Sequence, residues 1–233
     1  VAESSCGSTG RVRPAGWPID ALGLHLVTDS ALCGARGVLA VVQAAVQGGA
    51  SCVQLREKAL DTRAFVERAR VLKAWLAPLG VPLIINDRVD VALACGADGV
   101  HVGQQDMDAA DVRRLMPQAL IGLSIESSAQ LAAAETEGVA DYYGVSPVFA
   151  TPTKADAAPA LGLDGLAALR ACTRRPLVAI GGLHAGNAAA VLGAGADGLA
   201  VVSALCAAPD PAAAARALRL AMHPSDRGQT SGA

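Results

Sequence analysis

The feature that most constrains this chain is an alternation of two kinds of segment. Short β-rich runs recur at Leu24–Asp29, Cys52–Glu57, Leu83–Asp87, Gly99–Val102, Leu120–Ser124, Tyr142–Val148, Leu177–Gly181 and Gly198–Ser203. Between them lie Ala/Leu/Arg-rich stretches with helical spacing: Val38–Gln47, Thr62–Leu79, Asp108–Met116, Ser128–Glu137, Leu163–Cys172, Ala185–Leu192 and Pro211–Met222. Strands that alternate with helices form parallel βα units. Eight such units predict an α/β protein whose single domain, residues 21–222, is a closed (β/α)8 TIM barrel. The open doubly wound sheet is the alternative, but no G-x-G-x-x-G follows the first run.

A short repeat supports this fold. Gly48-Gly49-Ala50-Ser51, Gly96-Ala97-Asp98-Gly99, Gly138-Val139-Ala140-Asp141 and Gly195-Ala196-Asp197-Gly198 each precede an even-numbered strand run. Each reads as a helix stop, with Gly suited to a left-handed cap, and a tight turn into the strand. Duplicated βα units would give this pattern, and so would convergence of helix-to-strand turns on the same residue types.

The chain of 233 residues is long enough to bury a sizeable core. Its net charge of −2 gives no general affinity for nucleic acid or membrane, so an anion site must be local. No stretch approaches the ~18 continuous apolar residues of a membrane helix. Residues 1–20 lack the apolar core of a secretory signal and read as a flexible extension, and residues 223–233 as a disordered tail. None of the six cysteines forms a C-x-x-C pair; Cys52, Cys95 and Cys206 sit among apolar or small residues. Buried free thiols in a reducing cytoplasm are the expectation.

In a parallel barrel the C-terminal ends of the strands share one face, where active sites sit. Gln54, Arg56 and Lys58 end the second run, and period two places them on one side with Val53 and Leu55 on the other. Asn86-Asp87 ends the third, either as site residues or as caps for a helix over Val89–Ala94. Asp106 follows the fourth and could instead cap or charge the helix from Asp108. Two carboxylates on neighbouring loops suit Mg²⁺, which takes its other ligands from water and substrate phosphates. Ser124 ends the fifth run, and Thr151-Pro152-Thr153-Lys154 follows the sixth in a loop that is either a binding lid or a plain connection. Gly181-Gly182 and Val202-Ser203 end the seventh and eighth, where backbone N–H groups commonly hold a phosphate.

Only three lysines occur, and two of them, Lys58 and Lys154, fall at these strand ends; Lys73 reads as part of a solvated helix face. The four histidines form no metal or nucleophile motif. Two lysines, an arginine, two carboxylates and Ser/Thr/Gly donors describe a site for two phosphorylated ligands, one with Mg²⁺. With no obvious general base, loss of a phosphate-type leaving group is the favoured chemistry.

At these residues the chain resembles the thiamine-phosphate synthase family. The resemblance is collinear from Leu24 to Leu205, through Val27-Thr28-Asp29, Gln54 to Lys58, Asn86 to Asp90, Gly96 to Gln104, Pro147 to Lys154 and Ala179 to Gly182. It implies a barrel that condenses 4-amino-5-hydroxymethyl-2-methylpyrimidine diphosphate with hydroxyethylthiazole phosphate, giving thiamine phosphate and diphosphate. By resemblance Gln54, Leu55, Arg56, Glu57, Lys58, Asn86, Ser124 and Lys154 line the pyrimidine-diphosphate site. Arg56, Lys58, Ser124 and Lys154 serve catalysis. Asp87 and Asp106 hold Mg²⁺, and Thr151, Pro152, Thr153, Gly182, Val202 and Ser203 receive the thiazole phosphate. The expected partners are these small molecules, in the cytoplasm, with a homodimer left open. His25, Gln105, Ile125-Glu126 and Ser146 depart from residues common in the family. A thiazole tautomerase, a non-catalytic thiamine-phosphate sensor and a sugar-phosphate isomerase are the competing readings.

Overall fold

The structure, a computed structural model, describes residues 22–151 and 159–222. The expected extension 1–20 and tail 223–233 lie outside the described residues. Eight strands form, β1 Leu24–Val27, β2 Cys52–Leu55, β3 Leu83–Asn86, β4 Gly99–Val102, β5 Leu120–Ile125, β6 Tyr142–Val145, β7 Leu177–Ile180 and β8 Gly198–Val201. Each pairs in parallel with the next, and β8 pairs with β1, so the sheet is the closed barrel that the alternation predicts.

The helices are α1 Ser30–Cys33, α2 Gly37–Gln47, α3 Thr62–Leu76, α4 Val89–Cys95, α5 Ala109–Leu115, α6 Ser128–Glu137, α7 Gly162–Cys172, α8 Ala188–Gly193, α9 Ser203–Cys206 and α10 Pro211–Met222. α3 stops three residues short of the stretch expected for it, in a 3-10 turn that contains Pro78. α8 starts three residues later than expected. Asn187 accepts from His184 N at 2.9 Å and donates to Gly182 O at 2.9 Å, which holds 184–187 as a turn. The segment Ser30–Gln47 is apolar enough to span a membrane by composition, with a mean hydropathy of 1.3 over 18 residues. It is not one helix: Gly34 and Gly37, at φ 57° and 75°, break it between α1 and α2. The five described cysteines are free; Cys52 and Cys206 are buried and Cys95 half-buried.

Strand periodicity sorts the core into two layers. Leu24, Leu26, Val53, Leu55, Leu83 and Ile85 belong to the apolar layer between barrel and helices. Cys52, Ile84, Leu120, Tyr142, Val178 and Ala200 fill the barrel itself.

The four-part repeat has a structural role at the end of the barrel remote from the strand C-termini. Gly96 and Gly138 are left-handed C-caps, as their type suggests. The residue before each even strand then ties down the odd strand beside it. Leu24 N donates to Ser51 Oγ at 3.0 Å, Leu83 N to Asp98 at 2.9 Å, Ile121 N to Asp141 at 2.7 Å and Leu177 N to Asp197 at 2.9 Å. Each aspartate also pairs with a cation on the helix before the odd strand: Lys73 of α3 at 2.5 Å, Arg113 of α5 at 2.6 Å and Arg170 of α7 at 2.8 Å. Lys73 is therefore a half-buried clamp and not a solvated surface charge, which corrects the reading from helix position alone. In the first quarter α10 takes the place of the preceding helix. Its Arg219 covers Gly49 as Arg170 covers Gly195, and a Cβ at either glycine would meet that arginine's Cγ, at 2.9 Å and 2.4 Å.

Candidate active site

A cavity of about 520 Å³ opens at the C-terminal ends of the strands. From β2 and its extension it takes Gln54, Arg56 and Lys58. Leu55 and Glu57, which the resemblance assigns to the pyrimidine-diphosphate site, point the other way because side chains alternate along a strand. Leu55 is fully buried in the layer between barrel and helices. Glu57 accepts from Ser30 Oγ at 2.6 Å and pairs with Arg68 of α3. Arg56 is held from below: its N–H donates to the buried Thr28 hydroxyl at 3.0 Å, and its guanidinium lies 3.6 Å from Asp29, which also caps α1.

Asn86, Asp87 and Asp106 line the neighbouring wall. Asp87 has φ 63°, the one positive φ outside glycine among the described residues. That backbone, fixed by Asp87 N donating to His101 O at 2.8 Å, turns the carboxylate to within 2.7 Å of Lys58 Nζ. Neither Asn86 nor Asp87 caps the following helix, whose N-cap is Arg88 without a side-chain bond. Asp106 does not cap α5 either; Asp108 does, and Asp106 accepts from Gly103 N at 2.7 Å. Partial burial raises the Asp106 carboxyl above its usual range, and the Asp87 carboxylate within hydrogen-bonding reach pushes it the same way. Two carboxylates converging on one point, with a lysine at one of them, have the oxygen donors for a hard divalent cation that fills its sphere with water and phosphate. Among the described residues no group of three or more His, Cys, Asp or Glu could hold a metal.

On the floor of the cavity the expected Ser124 meets His101 and Tyr142, to which sequence reasoning gave no role. Ser124 Oγ lies 2.9 Å from His101 Nε2, and His101 Nδ1 lies 3.0 Å from the Tyr142 hydroxyl. Gln104 Nε2 donates to Ser124 O at 2.7 Å. His25 stacks edge-on against Tyr142, and among the described residues neither of its buried ring nitrogens has a hydrogen-bond partner. Burial holds both imidazoles neutral, pushing His25 down to about 3 and His101 to about 4. The available signal was register: His101 and Tyr142 occupy inward positions on β4 and β6, both paired with Gly122 of β5.

Across the cavity stand Thr151, Gly181, Gly182, Val202 and Ser203. Gly181 and Gly182 have φ 105° and 63°, and a Cβ at Gly182 would come within 3.0 Å of Ala150 O. The chain after β6 is pinned there, with Val148 N on Ile180 O at 2.9 Å and Phe149 N on Gly181 O at 3.2 Å. Pro152, Thr153 and Lys154 lie outside the described residues. Of the departures from the resembled family, His25, Gln105, Glu126 and Ser146 line the cavity, whereas Ile125 is buried behind the barrel wall.

A family model described as thiamine monophosphate synthase matches residues 24–205. The chain belongs to the thiamine monophosphate synthase family. Its activity is thiamine-phosphate synthesis, a transferase reaction of thiamine biosynthesis. A thiamine-phosphate synthase from Albidiferax ferrireducens is 59% identical over 202 residues, 86% of this chain and 92% of that protein. One from Xanthobacter autotrophicus is 59% identical over 206 residues, 88% of this chain and 97% of that protein. The solved thiamine phosphate pyrophosphorylase of Pyrococcus furiosus superposes with a TM-score of 0.82 at 36% identity, covering 88% of this chain and 98% of that one. A 3-hexulose-6-phosphate synthase, at 20% identity and a TM-score of 0.62, shares the fold alone.

Proposed function

We propose that this synthase joins 4-amino-5-hydroxymethyl-2-methylpyrimidine diphosphate to hydroxyethylthiazole phosphate, releasing diphosphate, with Mg²⁺ held by Asp87 and Asp106. The observation that carries the reading is the polarity of this cavity. Lys58, Arg56 and the two carboxylates gather on the β2–β4 side, and the glycine- and serine-bearing ends of β7 and β8 face them. One wall suits a metal-bound diphosphate and the other a monophosphate on backbone donors.

When bound, Mg²⁺ supplies Lewis-acid stabilisation of the negative charge that grows on the departing diphosphate. Arg56 and Lys58 add fixed positive charge at the same place, and the family resemblance gives Lys154 the same role. The pyrimidine amino group feeds electrons toward the breaking C–O bond. Gln54, Asn86 and Ser124 orient that ring. The thiazole nitrogen, positioned by a phosphate held at Thr151, Thr153, Gly182, Val202 and Ser203, attacks the resulting cation. Alignment of two rings in one cavity then carries much of the acceleration, and no covalent enzyme intermediate is needed. The free thiols fit a reducing cytoplasm as the working compartment.

The direct test mixes the chain with both substrates and Mg²⁺ and follows diphosphate and thiamine phosphate together. Stoichiometric release of both, abolished by chelation, is the expected result. Binding of the thiazole phosphate without diphosphate release by folded protein would leave the tautomerase reading in place.

A further inference from the structure

The chain Tyr142–His101–Ser124 has a direction, and the direction fixes what the serine offers to a ligand. Its three residues come from β6, β4 and β5, and Tyr142 and His101 are 1% and 9% exposed. Two strands leave out a side chain to accommodate it. A Cβ at Gly122 would lie 2.2 Å from Tyr142 Cζ and 2.3 Å from His101 Nδ1, and one at Gly144 would lie 2.7 Å from His101 Cε1. Gly122 and Gly144 therefore set the space in which imidazole and phenol meet, and the 3.0 Å and 2.9 Å contacts are built into the barrel wall.

A neutral imidazole has one N–H and one lone pair, so only two arrangements are open. If His101 carried its proton on Nδ1, it would donate to Tyr142, and Ser124 would spend its proton on Nε2. The Tyr142 O–H would then need another acceptor, and among the described residues its only hydrogen bond is to His101. A buried donor left without an acceptor is the more costly defect. With the proton on Nε2, Tyr142 donates to Nδ1 and Nε2–H donates to Ser124 Oγ, so both buried donors are used and only the Ser124 O–H, at the cavity, is left over.

We propose that Tyr142 and His101 are positioning residues that hold the Ser124 hydroxyl as a donor facing the cavity. Its ligand is accordingly a hydrogen-bond acceptor, a ring nitrogen or diphosphate oxygen of the pyrimidine substrate, and not that substrate's amino group. The identity of the ligand rests on the function proposed above; the direction of the chain does not.

The two parts are tested separately. In the ligand-free full chain labelled with ¹⁵N-histidine, two-bond ¹⁵N–¹H correlations report which nitrogen of His101 carries the proton, with His25, His184 and His223 assigned by single substitutions. A single tautomer protonated at Nε2 is expected; protonation at Nδ1, or a mixture of tautomers, overturns the proposal. In kinetics, Ser124→Ala and Tyr142→Phe should each raise KM for the pyrimidine diphosphate at least several-fold and leave KM for the thiazole phosphate unchanged. Tyr142→Phe should add nothing in a Ser124→Ala background. Additive effects would mean that Tyr142 acts elsewhere. If Tyr142→Phe fails to fold, the tautomer in the unsubstituted protein still decides.

Discussion

Asp87 combines two demands at one residue, an unusual backbone and a charge. Its φ of 63° is one that Asp and Asn tolerate and that costs other L-residues roughly 1–2 kcal/mol. Asp87→Asn keeps the backbone and removes the charge. It should leave stability nearly unchanged and raise the Mg²⁺ concentration for half-maximal rate about tenfold or more, since outer-sphere partners alone are worth about 10- to 100-fold. Asp87→Ala should lose about 1 kcal/mol of stability relative to Asp87→Gly in urea unfolding, because alanine carries the strain and glycine does not. Asp106→Asn should shift the Mg²⁺ requirement in the same direction, and unchanged Mg²⁺ dependence in both asparagine variants would remove the pair as ligands. At this scale the sequence was readable where one rule decided the matter. Period two placed Gln54, Arg56 and Lys58 correctly, and the same rule displaces Leu55 and Glu57, which a contiguous motif had brought in. His101 and Tyr142 were not readable, because a lone polar residue inside a strand has no local mark that it meets another across the barrel.

At the scale of elements, the strands were legible because each is a short apolar run closed by a turn, and the barrel follows from their number and direction. The short helices α1 and α9 were not legible, since four residues carry no helical period. The repeat before the even strands was visible as a pattern, but its function needed coordinates: Lys73 and Asp98 lie 25 residues apart in the chain. The aspartate clamps each combine a main-chain hydrogen bond with a half-buried ion pair. Asp141→Ala leaves the Ile121 N–H and the Arg113 guanidinium without that carboxylate and should cost about 2 kcal/mol or more. Ser51→Ala, which removes a hydroxyl and no ion pair, should cost about 1 kcal/mol. Urea midpoints at constant slope measure both. The clamps sit at the opposite end from the cavity, so kcat of the folded fraction should stay at the unsubstituted value. A fall in kcat of the folded fraction, or a raised Mg²⁺ requirement like that expected of Asp87→Asn, would contradict the separation of frame and chemistry.

The whole molecule has an acid limit that comes from its interior. His25 and His101 are buried and held neutral, at about 3 and about 4, against an ordinary value of 6.5. The unfolded chain therefore binds two protons below pH 6.5 that the folded chain refuses, so stability is full above that pH and falls as pH drops toward 4. The slope approaches about 1.4 kcal/mol per pH unit for each histidine. Unfolding free energies measured between pH 7 and 4.5 should show it, and His25→Gln should remove about half. A slope unaltered by that substitution would mean that His25 is protonated in the folded state. The ring also has a seam. The first quarter borrows its outer helix from the far end of the chain, with Arg219 of α10 lying over Gly49. On the ribosome, β1 and α2 emerge long before the helix that covers them. The other quarters emerge with their own helix ahead of them, so α10, the last of the described helices along the chain, is the one that completes the first quarter.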